Sequence, residues 1–398
     1  MAPKIALDRL RGKRHPAFFQ RLGFSLPTPA QKTVIWIHAV SVGEVKAAAP
    51  FFHLLKDTFP DAWFCITTTT ATGQEEAKTR SLTMADAFLY LPLDFSFAAR
   101  RFVKKLRPHL FFLVEGDLWP NLLAEIRKSG CKTFLISGKM SQKSASRWRF
   151  FPSFAKRLFS HIDLICAQSQ EHANRFLPFL SNPSKLRITG NLKFDMRPQV
   201  SKNLLITDRP VLTLSSTHAP EEEVLLDLLE TGPWVIFLAP RHPERFEEVA
   251  RLLTKKNISF IRLSQMGEYS PKTKVILVDA MGQLASCYAN SKLAIMGGSF
   301  VPHIGGHNVL EPCLYGCPVL FGPHTFAQEE LVQQVLDAGA GLQRPLSQVL
   351  EGVQQILADH FLFSSRALQC AEQMRGASLS TWREIEKIRN KIGDVISS

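Results

Sequence analysis

The feature that most constrains this chain is an alternation that runs through it twice, of short apolar, β-branched segments separated by longer amphipathic ones. A segment apolar on both faces suits a strand covered on both sides, and helices are the connections that parallel strands require. Strands are predicted at 34–39, 63–68, 110–114, 133–136 and 164–167, with helical stretches at 45–57, 95–106 and 118–128 between them. The pattern restarts at 211–215, 234–239, 260–262, 275–278, 293–296 and 318–321. The expected fold class is therefore α/β, with two doubly wound domains whose strand C-terminal ends meet a shared central cleft. A chain of 398 residues has room for both. The polar stretch 196–209, with Pro198, Ser201, Lys202 and Asn203, marks the boundary between an N-terminal domain over 1–200 and a C-terminal domain over 201–375. A closing helix over 376–398 is expected to return to the first domain through Leu379, Trp382, Ile385, Ile388, Ile392 and Ile396.

The net charge of +13 is one-sided. Residues 1–200 hold 30 Lys and Arg against 14 Asp and Glu, a net of +16, whereas residues 201–398 hold 18 against 21, a net of −3. An excess of this kind points to an anionic partner: nucleic acid, an acidic membrane surface or a phosphorylated substrate. A merely solubilising surface is the plain alternative. No apolar stretch approaches the roughly 18 to 20 residues that span a bilayer. The first 20 residues carry Lys4, Arg9, Arg11, Lys13 and Arg14 without the apolar core of a signal peptide. Such a segment suits anionic headgroups, with Phe18 and Phe19 dipping in, or a solvated tail. Seven cysteines without paired spacing read as reduced thiols of a cytosolic compartment.

Four stretches carry chemistry. The first strand runs through His38 into the small-residue turn of Ser41 and Gly43, which leaves Glu44 near a helix N-terminus. A carboxylate there can take a proton from a hydroxyl, provided apolar surroundings offset the stabilising helix dipole; it can also be a simple dipole complement. After the strand 110–114 come Glu115, Gly116 and Asp117, where Asp117 is placed to cap the next helix. Glu115 is placed to bind a polyhydroxylated ligand or to hold a basic group. In the second half, Arg241, His242 and Arg245 flank a helix start at Pro243 and suit a phosphate, unless Glu244 pairs with an arginine. The fourth stretch is Gly297-Gly298-Ser299 followed by Gly305-Gly306-His307-Asn308. It predicts an anion nest ahead of a helix starting at Asn308, with Glu311 just inside it to accept from ribose hydroxyls. No G-x-G-x-x-G follows the first strand and no P-loop motif occurs, which removes support for dehydrogenases and P-loop enzymes. His303, His307, Cys313 and Cys317 have zinc-like spacing, but Gly305, Gly306 and Pro312 break the helices that would align them, so no metal is expected.

Seven motifs in order, HAVSVGE (38–44), TTTTATG (67–73), LPLD (91–94), LWPN (118–121), TGNLKFD (189–195), APRHPERF (239–246) and GGSF…GGHNVLEP (297–312), resemble those of the 3-deoxy-D-manno-octulosonic acid (Kdo) transferases. The resemblance covers about residues 30–330. It implies a GT-B glycosyltransferase of two Rossmann-like domains, moving Kdo from CMP-Kdo to the lipid A precursor with inversion and without a metal or other cofactor. It implies Glu44 as general base and Glu115 as a second carboxylate supporting acceptor or sugar. Arg241, His242 and the glycine pairs 297–298 and 305–306 would hold the CMP phosphate, and Glu311 the ribose or cytosine. Ser41, Gly43, Thr69, Lys193, Ser299, His307 and Asn308 fall among the substrate-binding residues by the same resemblance. The first 200 residues become the acceptor side, in contact with lipid A phosphates and an anionic membrane surface at the cytoplasmic face of the inner membrane. The short anchor common in the family has no counterpart in the first 20 residues, so the chain is either truncated or bound peripherally. Two positions depart from the family pattern: Glu115-Gly116-Asp117 stands where Glu-x-Glu is common, and Lys139 where an arginine is usual. The alternatives are a nucleotide-sugar epimerase of the same fold and a non-catalytic basic nucleic-acid-binding protein. The second lacks any recognisable nucleic-acid motif, and no nucleic-acid partner is expected.

Overall fold

The computed structural model describes residues 17–196, 200, 204, 207–229, 231–265 and 270–391. The basic residues Lys4 to Arg14, the linker residues Pro198 and Ser201 to Asn203, and the terminal Ile392 and Ile396 lie outside the described residues. The chain divides into two compact units, one ending at Met196 and resuming at Met374, the other running from Arg197 to Gln373.

The first unit is a parallel sheet of β1 (Val34–His38), β2 (Trp63–Thr68), β3 (Ala87–Tyr90), β4 (Leu110–Val114), β5 (Lys132–Gly138), β6 (Leu164–Ala167) and β7 (Leu186–Ile188). Their order is β3-β2-β1-β4-β5-β6-β7. The second unit repeats the plan with β8 (Val211–Thr217), β9 (Val235–Pro240), β10 (Phe260–Arg262), β11 (Val275–Leu277), β12 (Leu293–Met296), β13 (Val319–Phe321) and β14 (Gly341–Gln343), ordered β10-β11-β9-β8-β12-β13-β14. The sequence pattern predicts the central strands and omits β3, β7 and β14.

Central strands are buried on both faces because helices cover both. Trp36 points into a layer with Phe102 and Phe111, while its neighbours Ile35 and Ile37 point the other way, toward Phe51, Phe52 and Phe112. The helix Ala377–Lys391 completes that second layer: Trp382 and Ile385 are buried in it, and the Trp382 ring meets Phe59 edge-on at 5.5 Å. The first long helix is Val42–Thr58, three residues longer at its start than the sequence predicts, so Gly43 and Glu44 lie in its first turn.

Candidate active site

β1 and β4 are neighbours whose following segments lead to opposite sides of the sheet. The crevice beyond their C-terminal ends is the topological switch point, where doubly wound sheets bind ligands. Glu44 and Glu115 both emerge there. After β1 the chain turns through Val40 and reaches Ser41 at the N-cap position of the helix. Glu44 Oε2 accepts the Val40 N–H at 2.8 Å. The Val40 carbonyl oxygen accepts from the N–H groups of Thr69 and Thr70 at 3.3 Å and from their hydroxyls at 3.2 Å. Gly73 is pressed against this turn: a Cβ there would lie 2.8 Å from Thr70 Oγ1 and 3.2 Å from the Ser41 carbonyl carbon. Thr69, expected among the substrate-binding residues, therefore clamps the loop that carries Glu44.

Burial pushes the Glu44 carboxyl up to about 7. The Val40 N–H and Lys139 pull it down, and the carboxylates of Glu115 and Asp117 push it further up. Desolvation thus outweighs the Val40 hydrogen bond and the charge of Lys139. Glu115 has the opposite fate. It sits just past β4 with φ 65°, a left-handed conformation costing a glutamate on the order of 1 kcal/mol or more. Its Oε2 lies 2.7 Å from Lys139 Nζ and its Oε1 2.6 Å from Lys193 Nζ. Burial works to raise its pKa, but the two ammonium groups outweigh it and hold the carboxyl below its ordinary range. Lys193, expected to touch substrate, is spent on Glu115. Asp117 does not cap the helix Pro120–Lys128, whose N-cap position is Trp119. Asp94 of the LPLD motif does so, Oδ1 accepting from the Leu122 N–H at 2.9 Å and Oδ2 from the Asn121 N–H at 3.2 Å.

In the second unit the equivalent switch point lies between β8 and β12. Gly297 leaves β12 so close to β8 that a Cβ would lie 2.6 Å from Thr217 Cα. The amides of the first glycine loop, 297–300, are in part taken up from within. The buried Glu221 carboxylate accepts the N–H groups of His218 at 3.0 Å, Gly298 at 2.7 Å and Phe300 at 3.0 Å. The Gly306 N–H goes to the Gly298 carbonyl at 2.8 Å. Nor does an α-helix start at Asn308. Only five residues separate the left-handed Gly305 and Gly306 from Pro312, too few for a helix, and a 3-10 turn, Pro312–Tyr315, forms instead. Asn308 Oδ1 accepts the Leu310 N–H at 3.0 Å, Glu311 precedes the turn, and the Glu311 charge acts on the buried Tyr288 hydroxyl. Ser299 is fully buried, its hydroxyl donating to the Met296 carbonyl at 2.5 Å and accepting the Gly322 N–H at 2.7 Å, so its side chain ties β12 to the end of β13 rather than facing a ligand.

What remains for an anion in this unit is a set of side chains. His218 Nε2 and His307 Nε2 are 2.9 Å apart, with near-parallel rings. One nitrogen must donate and the other accept, so the two imidazoles hold opposite tautomers. His307 lies over Gly298, where a Cβ would come within 3.0 Å of its ring. The His242 ring stands edge-on to His218 at 5.5 Å. Burial, then the charges of His218, Arg241 and His242, hold His307 down at about 4. Arg245 is paired with Glu222 at 2.5 Å and Glu248 at 3.0 Å, which corrects the expectation of two available arginines. Arg241 is exposed and pairs with no carboxylate of the described residues. His218 and Glu221 are not singled out by the sequence; they follow the strand 211–217 in His218-Ala219-Pro220-Glu221, where the acid looks like any acid opening a helix.

Residues 16–196 match the family model described as 3-deoxy-D-manno-octulosonic-acid transferase (kdotransferase). A 3-deoxy-D-manno-octulosonic acid transferase of Haemophilus influenzae is 36% identical over 353 residues, covering 83% of this chain and 81% of the relative. The chain belongs to the 3-deoxy-D-manno-octulosonic acid transferase family. A Kdo transferase of Bordetella pertussis is 34% identical over 369 residues, covering 86% of this chain and 84% of the relative. Among solved structures, UDP-GlcNAc 2-epimerase from Neisseria meningitidis bound to UDP-GlcNAc is similar with a TM-score of 0.63 over 89% of this chain and all of that one (100%). At 13% identity that likeness speaks for the fold alone, which is GT-B: two Rossmann-like α/β domains. Several Kdo transferase motifs now have a physical reading. TTTTATG clamps the turn of HAVSVGE, LPLD caps the helix opened by LWPN, and TGNLKFD supplies a lysine to Glu115.

Proposed function

We infer that this enzyme transfers Kdo from CMP-Kdo to the lipid A precursor of lipopolysaccharide, with inversion at the anomeric carbon. The observation that carries the reading is Glu44, a half-buried carboxylate at a switch point whose pKa is raised to about 7. In the step proposed, an acceptor hydroxyl attacks the anomeric carbon and gives its proton to Glu44. The bond from that carbon to the phosphate oxygen breaks, and CMP leaves with the electron pair. A base poised near working pH contributes about 10² to 10⁴-fold. Glu115, held ionised by Lys139 and Lys193, is a poor base; it serves the acceptor or sugar as a fixed polar anchor. On the donor side, Arg241, His242 and the His218–His307 pair offer donors for the charge that develops on the departing phosphate. Gly298 gives His307 its place, and Glu311 is assigned to the ribose or cytosine.

An anionic membrane surface is the setting proposed for the acceptor. It is supported by the helical pair Gln142–Arg149 and Pro152–Ser160, which starts three residues after Lys139. Its tip exposes Phe150 (80%), Phe151 (67%) and Phe154 (49%). Lys143, Arg147, Arg149, Lys156 and Arg157 surround them, with no acid between residues 141 and 160. Trp148 stacks on Phe154 and meets Phe159 edge-on, so the hairpin is braced from beneath. Rings ringed by cations fit a headgroup layer of anionic lipid. No helix of the described residues is long and apolar enough to cross a membrane.

The deciding experiment incubates the protein with CMP-Kdo and lipid A precursor and weighs the lipid by mass spectrometry. A mass gain of one or more Kdo units is expected, with release of CMP. Binding of CMP-Kdo with no glycosylated lipid formed sinks the assignment of acceptor.

A further inference from the structure

We propose that Asp195 is a positioning residue for the acceptor-side carboxylates: it makes the docking of the C-terminal helix a condition for Lys193 to reach Glu115. Lys193 and Asp195 share one 3-10 turn, Leu192–Asp195, whose Leu192 and Phe194 are buried. On one side of the turn Lys193 Nζ meets Glu115 Oε1 at 2.6 Å. On the other side the Asp195 carboxylate accepts three backbone N–H groups at the start of the helix Ala377–Lys391. Oδ1 takes Gly376 at 2.7 Å and Ala377 at 3.3 Å, and Oδ2 takes Ser378 at 2.6 Å. These are the donors a helix N-terminus leaves unsatisfied, so one side chain fixes the helix start and the turn in register.

The arrangement is over-determined along the same path. Gly190 approaches the helix so closely that a Cβ would lie 3.2 Å from Ala377 Cβ, and Thr381 Oγ1 donates to Thr189 Oγ1 at 2.8 Å in a buried contact. Asn191 caps the turn through the Lys193 N–H at 3.0 Å. Residues far apart in sequence thereby set one ammonium group against one carboxylate. Asp195 also stands at the last residues of the first unit before the chain leaves it, and Gly376 at the first after it returns. Both covalent crossings are pinned at this clamp, two residues from Lys193.

The proposal rests on the reading of Glu44 as base. The groups acting on Glu44 are the Val40 N–H from its own turn, Glu115 and Asp117 from the loop after β4, and Lys139 from the end of β5. If Lys193 disengages, the Glu115 charge is compensated by Lys139 alone, and Glu44 gains a proton more easily. The test is the pH dependence of Kdo transfer by the full-length chain. Asp195→Ala is expected to lower kcat about tenfold and to move the acid limb of kcat/KM upward by about half a pH unit. Lys193→Met should do the same, and the double variant should be no worse than the worse single one. Asp195→Asn, which keeps a capping oxygen, should restore most of the activity. Thr381→Val removes one docking bond of the same helix and keeps the three bonds to Asp195, so it should move the limb in the same direction and by less than Asp195→Ala. An acid limb unmoved in a folded Asp195→Ala protein, or effects of Asp195→Ala and Lys193→Met that multiply, overturns the proposal. Where the alanine variant does not fold, Asp195→Ser keeps one oxygen and should shift the limb less, in the same direction; a folded serine variant with no shift is equally fatal. Glu44→Gln separates the two readings: if it retains turnover, the base assignment has failed, whereas if it is inactive and the limb does not move, only the role of Asp195 has.

Discussion

The two switch points have the same topology and opposite electrostatics. In the first unit Glu115 has two lysines, whereas Glu44 and Asp117 form no ion pair among the described residues and burial pushes both toward neutrality. In the second, the carboxylates are consumed, Glu221 by backbone amides and Glu222 by Arg245, while Arg241 and three imidazoles remain. On the proposed reading, the first site receives a proton and the second a phosphate. A sheet plan fixes where a ligand goes; which charges are left uncancelled at that place decides what it is.

The largest test of this contrast is Glu44→Gln. It should lower kcat for Kdo transfer by about 10² to 10⁴-fold while leaving CMP affinity, measured calorimetrically, nearly unchanged. In the wild-type protein kcat/KM should rise with pH through about 7 as Glu44 loses its proton. A profile flat from pH 5 to 8 would detach the reaction from this carboxylate. Next is Arg241→Ala, expected to cost about 10 to 100-fold in kcat/KM for the donor through loss of a charge-assisted contact. An unaltered donor response would move phosphate recognition away from Arg241. The double variant Phe150→Ser, Phe151→Ser should weaken binding to vesicles containing phosphatidylglycerol by at least about tenfold, as two rings lose their apolar burial. Phosphatidylcholine vesicles should bind the wild-type protein poorly, and equal binding to both would remove the role of the surrounding cations.

The smallest effect is on stability, and its sign is opposite to that of an ordinary ion-paired acid. A carboxyl whose folded pKa is raised from 4.5 to about 7 binds more protons folded than unfolded between those values. Stability therefore falls as pH rises through that window. Glu44→Gln should be more stable than wild type by about 1 kcal/mol at pH 8, after discounting for partial exposure, with no gain at pH 4. Denaturant melts at the two pH values read this directly.

Central strands such as Val34–His38 and Leu110–Val114 are legible in the sequence because burial on both faces demands an unbroken apolar run. β3, β7 and β14 are all edge strands of three or four residues and partly exposed; β7 and β14 have no such run, and the run of β3 is cut short by Pro92. The site divides along similar lines. Glu115 stands out because it directly follows a strong strand, and Glu44 because it opens the helix that follows another. His218 matters only because β8 neighbours β12, a pairing between residues about 80 positions apart. The glycines of 297–306 announce close backbone approach, but not that Glu221 is what approaches.

That internal occupant has a further consequence. Because Glu221 already organises the loop 298–300, the segment holds its shape without a nucleotide, and on the proposed reading donor binding there is spared the entropy of freezing it. Association there should accordingly be fast and little dependent on loop rearrangement, leaving the exposed Arg241 side chain as the part that adapts.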